Sequence, residues 1–188
     1  MKTASNPRLS ALVDLKALNK HGPITFQDQL FELVDKEQPK VIVETGTRRG
    51  VSTILMLVAA PKGAHIYSCD PMHNGQAQAA ERIKRATGFV LPSSAWTFYP
   101  EVSHKALPKV PTDPAWDLFV HDSDHSEAVV NFELRFAWER LRQGGYLVCD
   151  DWDTVKHARR KHSAFVDFCA EVGVTFEKMG SAAVIRKP

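Results

Sequence analysis

"KVIVETGTRRGVSTILMLVAA", residues 40–60, decides the fold. Val41, Ile42 and Val43 form a short β-branched run of the kind that suits a central parallel strand buried on both faces. Glu44, Thr45 and Gly46 follow, and Gly46 and Gly50 mark a strand-to-helix turn where the backbone must approach a ligand closely, or else only serve a tight turn. From Val51 onward the residues read as a helix, closed by Pro61 and Gly63. A strand, a glycine loop and a helix in this order open a sheet of β-α-β units.

The same alternation extends in both directions. Upstream, "TFQDQLFELVDKE" (25–37) places Phe26, Leu30, Phe31 and Val34 on one helical face. Downstream, "AHIYSCD" (64–70) is a second strand, followed by a polar helix around "QAQAAERIKRA" (76–86). "AWTFYP" (95–100) is a third strand, with "VSHKALPKV" (102–110) as a short helix after it, and "WDLFVH" (116–121) is a fourth strand. "SEAVVNFELRFAWERLR" (126–142) is a long amphipathic helix, expected to end at Gly144–Gly145 in a left-handed cap. "YLVCDD" (146–151) is the fifth strand, "VKHARRKHSAFVDFCAEV" (155–172) a helix, and "VTFEKMGSAAVIRK" (174–187) a hairpin around Gly180. Repeated β-α-β units predict a doubly wound, mostly parallel α/β sheet with an antiparallel C-terminal hairpin. No Pro/Gly/Ser-rich linker interrupts the series, so residues 1–188 read as one domain, with 1–37 as an N-terminal helical cap.

Bulk properties narrow the functional classes. With 188 residues, 44% hydrophobic and 24% charged, the chain can bury a continuous core without staples. A formal charge of +2 gives no broad attraction to nucleic acid or anionic membrane. Cys69, Cys149 and Cys169 are odd in number and widely spaced, which argues against a disulfide framework and fits a reducing cytosol. No run has the length of a signal-peptide core or a bilayer span. A cytoplasmic protein without membrane or nucleic-acid partners is expected.

In doubly wound sheets, ligands bind outside the carboxyl ends of the strands. Those ends carry Glu44-Thr45-Gly46, Asp70, Glu101–Ser103, Asp122 and Asp150-Asp151. Five strands thus bring polar, mostly acidic groups to one rim. The dinucleotide fingerprint would need glycines where Arg48 and Val51 stand, and the P-loop lysine is missing. A nucleoside is therefore better served than a pyrophosphate. Asp70, 24 residues beyond Gly46, suits the two hydroxyls of a ribose, or alternatively the N-cap of the next helix.

Taken together, "VIVETGTRRGVST", "IYSCDP", "HDSDH" and "GGYLVCDDW" resemble the motifs of class I S-adenosylmethionine-dependent methyltransferases. The nearest branch is similar to the metal-dependent catechol and caffeoyl-coenzyme A O-methyltransferases and to related small-molecule and sugar enzymes. The resemblance spans about residues 40–155. It implies a Rossmann-like sheet of strand order 3-2-1-4-5-7-6. It also implies that Glu44, Gly46, Thr47 and Gly50 line the methionine end of S-adenosylmethionine, that Ser52 meets the cofactor carboxylate, and that Asp70 holds the ribose. Ser103 and His104 match positions beside the adenine, and Asp122 lies at the cofactor's edge. Asp122, Asp150 and Asp151 fall on the three metal-ligand positions, and His125 falls where the catechol-type enzymes place a catalytic lysine.

Physical reasoning gives these matches content and alternatives. Carboxylates at the ends of neighbouring strands, roughly 5 Å apart, repel unless a positive group sits among them. A divalent cation with oxygen ligands, Mg²⁺ first, is a natural partner; helix capping by Asp151 and backbone bonding by Asp150 are the alternative. Two departures stand out: an Asp–Asp pair replaces the family's Asp–Asn, and histidine replaces lysine. His125 titrates near neutrality and suits a general base, or else a helix-start residue. His121 alternates back towards the sheet, Asp124 suits a turn, and Trp152 suits either a substrate wall or the core. The expected reaction is methyl transfer to a hydroxyl of a small acceptor such as a catechol, a polyphenol or a sugar diol, with a homodimer left open. Two rival readings are a metal hydrolase built on His121, Asp122, His125 and Asp150, and a non-catalytic nucleoside-binding protein.

Overall fold

A computed structural model describes residues 25–72, 81, 95–152 and 158–188. The polar helix expected around 76–86 lies outside the described residues apart from Glu81, as do residues 1–24 of the expected N-terminal cap. The chain runs α1 (Thr25–Glu37), β1 (Val41–Thr45), α2 (Val51–Ala59), β2 (His65–Cys69) and β3 (Trp96–Tyr99). It continues with α3 (Ser103–Ala106), a 3-10 turn (Leu107–Lys109), β4 (Trp116–His121) and α4 (Glu127–Arg140). The last elements are β5 (Leu141–Cys149), α5 (Ala158–Val172), β6 (Glu177–Met179) and β7 (Ala182–Arg186).

Seven strands form one sheet in the order β3-β2-β1-β4-β5-β7-β6, as the resemblance implies. The first five pair in parallel, while β7 runs antiparallel to both β5 and β6. The order reverses between β1 and β4, so the crevice expected of such sheets opens at their carboxyl ends. Alternating side chains fill two cores. Ile42, Leu118 and Val120 pack with Ile54 and Met56 of α2 and Leu30 and Val34 of α1. Val43, Phe119 and Leu147 pack with Val130 and Leu134 of α4 and Phe165 and Phe168 of α5. Every residue of β1 is buried, which is why its sequence shows no polar alternation.

One boundary differs from the sequence expectation. Helix α4 ends at Arg140, where Leu141 turns to extended backbone (ψ 135°), and Gly144–Gly145 lie inside β5 rather than capping the helix. Between the pairs Trp116↔Leu141 and Leu118↔Tyr146, β5 carries three more residues than β4. Gly144, at φ 72°, lets this excess bulge outward before Tyr146 resumes the ladder.

At the crevice, Gly46 has φ 91° and gives its N–H to Cys69 O at 2.9 Å, while Asp122 N–H donates to Thr45 O at 2.9 Å. The first bond ties the end of β1 to β2, and the second ties the end of β4 to β1. A Cβ on Gly46 would overlap the Asp122 carbonyl outright and stand 2.8 Å from the Ser123 nitrogen. Gly46→Ala therefore combines a forbidden backbone with a backbone clash, and should remove about 3 kcal/mol or more. Thermal unfolding is expected to fall by roughly 6 °C or more; an unchanged midpoint refutes the packing described.

Candidate active site

The glycine loop is built from the backbone outward. Gly50 caps α2 at φ 74°, and its N–H closes a tight turn onto Thr47 O at 2.6 Å. Arg48, also in the left-handed region at φ 44°, gives its N–H to Asp70 Oδ2 at 2.7 Å. Met72 N–H takes Asp70 Oδ1 at the same distance. Asp70 is thereby held by both oxygens between the first and second βα turns, leaving lone pairs on each for a further donor. Inside the loop, the Thr47 hydroxyl is buried and has no hydrogen-bond partner among the described residues.

Beneath the loop, Glu44 is fully buried on the α2 side of the sheet. The Ser52 and Thr53 hydroxyls donate to its two carboxylate oxygens. Burial pushes its pKa up to about 7; the two hydroxyls oppose the shift, and the charge of Asp70 adds to it. Ser52, expected on the cofactor carboxylate, has its proton engaged by Glu44.

A second fully buried carboxylate, absent from the sequence reading, lies on the other face. Glu133 of α4 is fully buried. It accepts from Thr45 Oγ1 at 2.5 Å and Ser123 Oγ at 2.6 Å, and pairs with His121 Nδ1 at 2.6 Å. Ser103 adds a further side-chain bond. Burial works against its charge, but His121 and these hydrogen bonds outweigh it, so the Glu133 carboxyl stays below the ordinary range. The sequence did hold a signal: with Val130, Leu134 and Ala137 buried on α4, position 133 falls on the apolar stripe.

The two aspartates that follow β5 take different partners. Asp150 turns to the hairpin, where its Oδ1 accepts from Ser181 Oγ and from Asp151 N, each at 2.8 Å. Asp151 has left-handed backbone (φ 52°) and faces the loop after β4, with Oδ2 3.8 Å from His125 Nε2. Both members of that pair are about one-third to two-fifths exposed (35% and 42%). Among the described residues, no group of three or more His, Cys, Asp or Glu side chains is placed to hold a metal ion. The set Asp122, Asp150 and Asp151 thus does not fit a cation as the side chains stand. The hydrolase constellation is not assembled either, since His121 turns to Glu133 in the interior. Asp124 accepts from Ser126 N at 2.7 Å in an exposed turn. Trp152 is core, packed against Phe165 and Phe176. Ser103 is buried at the start of α3, and His104 beside it is exposed.

Residues 43–152 match a family model described as a methyltransferase domain. The chain belongs to this family. Comparison with curated proteins finds no match. Among solved structures, an O-methyltransferase from Bacillus cereus in complex with SAH is 17% identical, over all of this chain and 93% of that one, at a TM-score of 0.68. TomG, an O-methyltransferase of Streptomyces achromogenes involved in tomaymycin synthesis and solved with SAM, is 15% identical over 99% and 92%, also at 0.68. The SAH-bound methyltransferase PaMTH1 of Podospora anserina is 14% identical over 97% and 88%, at 0.70. At these identities the likeness is one of fold.

In this methyltransferase domain Glu44 makes stability depend on pH. Folded Glu44 holds its proton more tightly than an unfolded glutamate, so its contribution is whole below about pH 4 and is lost as pH rises through about 7. The loss is on the order of 3 kcal/mol above pH 8. Glu44→Gln keeps the shape of the protonated acid, with one hydroxyl turning to accept. Its melting temperature should exceed that of the wild type by several degrees at pH 8.5 and converge with it near pH 5. A constant difference across that range would count against the assignment.

Proposed function

We propose that this chain is an S-adenosylmethionine-dependent O-methyltransferase acting on a hydroxyl of a small molecule. The observation that carries the reading is the cradle at the β1–β4 crevice: a buried Thr47 hydroxyl, without a partner among the described residues, beside a doubly anchored Asp70. Met72 and Val102, the large hydrophobic residues exposed among those described, lie two residues beyond Asp70 and immediately before Ser103. A ribose with a flat base attached suits a carboxylate with apolar surface beside it. The family match and the fold shared with SAH- and SAM-bound proteins support the same ligand.

In this reading Asp70 accepts the ribose hydroxyls, while Met72, Ser103 and His104 lie beside the adenine. Gly46, Thr47 and Gly50 give backbone and hydroxyl contacts to the methionine end, with Asp122 at its edge. Glu44 faces the methionine amine, and Ser52 acts by holding Glu44. When bound, the cofactor supplies a sulfonium methyl group open to in-line attack. His125 would take the proton of the acceptor hydroxyl as the C–O bond forms and the C–S bond breaks, the thioether S-adenosylhomocysteine being the leaving group, and Asp151 would stabilise the resulting imidazolium. Alignment of oxygen and methyl carbon carries much of the acceleration. No step is assigned to a metal, because no group of three metal-ligating side chains is gathered among the described residues.

Calorimetry with S-adenosylhomocysteine (SAH) tests the site, followed by a panel of catechols, polyphenols and sugar diols with labelled S-adenosylmethionine. Asp70→Ala should weaken SAH at least tenfold. His125→Ala should bind it within threefold of wild type yet lose about 100-fold in turnover. Turnover is expected to survive EDTA. Absence of SAH binding, or full activity in both variants, sinks the proposal.

A further inference from the structure

Glu133 has no part in that reaction, yet its carboxylate gathers four donors from three separate segments of the rim. Thr45 ends β1 one residue before Gly46, His121 ends β4 one residue before Asp122, Ser123 lies just beyond, and Ser103 opens α3. Those are the segments that border the proposed cofactor cleft. His121 itself is fixed from one side only: its Nε2 is buried and meets no hydrogen-bond partner among the described residues. Its ring stands edge-on to His125, with centroids 6.5 Å apart. A carboxylate placed on an apolar helix stripe is an expensive way to build a core, and here every group it touches is a donor.

We infer that Glu133, acting through Thr45, His121, Ser123 and Ser103, is a positioning residue that sets the geometry of the cofactor cleft from the opposite face of the sheet. The inference rests on the functional reading above. It touches neither cofactor nor acceptor; it fixes the height of the Asp122 turn against Gly46 and ties α3 to both. Glutamine cannot replace it, because its amide nitrogen must meet one of the surrounding donors.

The test uses the full chain and SAH as the probe. Glu133→Gln should bind SAH at least tenfold more weakly and lose the downfield proton resonance of the His121 ring N–H bonded to the carboxylate. Val130→Ala, one turn earlier on α4, should lower the melting temperature while leaving SAH affinity and that resonance in place. Thr45→Val, which removes a single hydroxyl, should weaken SAH about threefold and stands in if Glu133→Gln does not fold. Wild-type affinity in Glu133→Gln, or in Thr45→Val where that variant stands in, overturns the inference. Equal weakening by Val130→Ala at matched loss of melting temperature also overturns it. If the wild type itself does not bind SAH, the functional reading fails instead. The tie is then judged by hydrogen exchange: lost protection confined to the Gly46 and Asp122 amides supports it, and unchanged protection overturns it.

Discussion

Only a hydrogen atom fits between the α-carbon of Gly46 and the carbonyl of Asp122, and the rim is organised around that approach. The end of β1 bends away through φ 91° because β4 occupies the space ahead of it. Its N–H is then redirected sideways to Cys69 on β2. The loop that follows is forced over the end of β2, where Arg48 N–H meets Asp70. A contact between two central strands thus determines where a carboxylate on the third strand of the crevice points. This is a glycine required by protein packing as well as by any ligand.

The two fully buried glutamates show how such a rim is stabilised at the expense of the fold. Each sits on one face of the sheet near the end of β1: Glu44 is bonded to hydroxyls from α2, Glu133 to hydroxyls and an imidazole from β1, β4 and α3. Their environments push them in opposite directions. Glu44 has only neutral hydroxyl donors and a negative neighbour in Asp70, so burial dominates and its pKa rises to about 7. Glu133 has His121, and burial is outweighed. The same residue type is therefore poised near neutrality on one face and held ionised on the other.

Much of this was legible in the sequence, for identifiable reasons. Long periodic stretches such as Thr25–Glu37 and short β-branched runs such as Val41–Val43 report burial directly, and burial fixes element type. Strand order came from resemblance, because seven strands of similar composition carry no label for their neighbours. The Gly144–Gly145 pair was misread because a left-handed glycine serves a bulge as well as a helix cap. Glu133 was passed over for a different reason. Charge on an amphipathic helix usually means solvent, and only its position on the stripe of Val130, Leu134 and Ala137 contradicts that.

The Asp150–Asp151 pair carries the general lesson about clusters. Adjacent residues at the end of a strand begin with side chains on opposite faces, so two neighbouring aspartates in sequence start out divergent in space. Here the divergence is completed by the hairpin and by backbone. Ser181 draws Asp150 towards the antiparallel edge, and the left-handed turn at Asp151 swings the next carboxylate towards His125. What reads as one acidic site becomes two devices, a structural brace and the partner of a histidine. In the proposed reading, the division separates the groups that would hold the nucleoside, on β1 and β2, from the groups that would handle a proton, beyond β4 and β5. Gly46 and Asp122, pressed together at the switch point, are where the two halves meet.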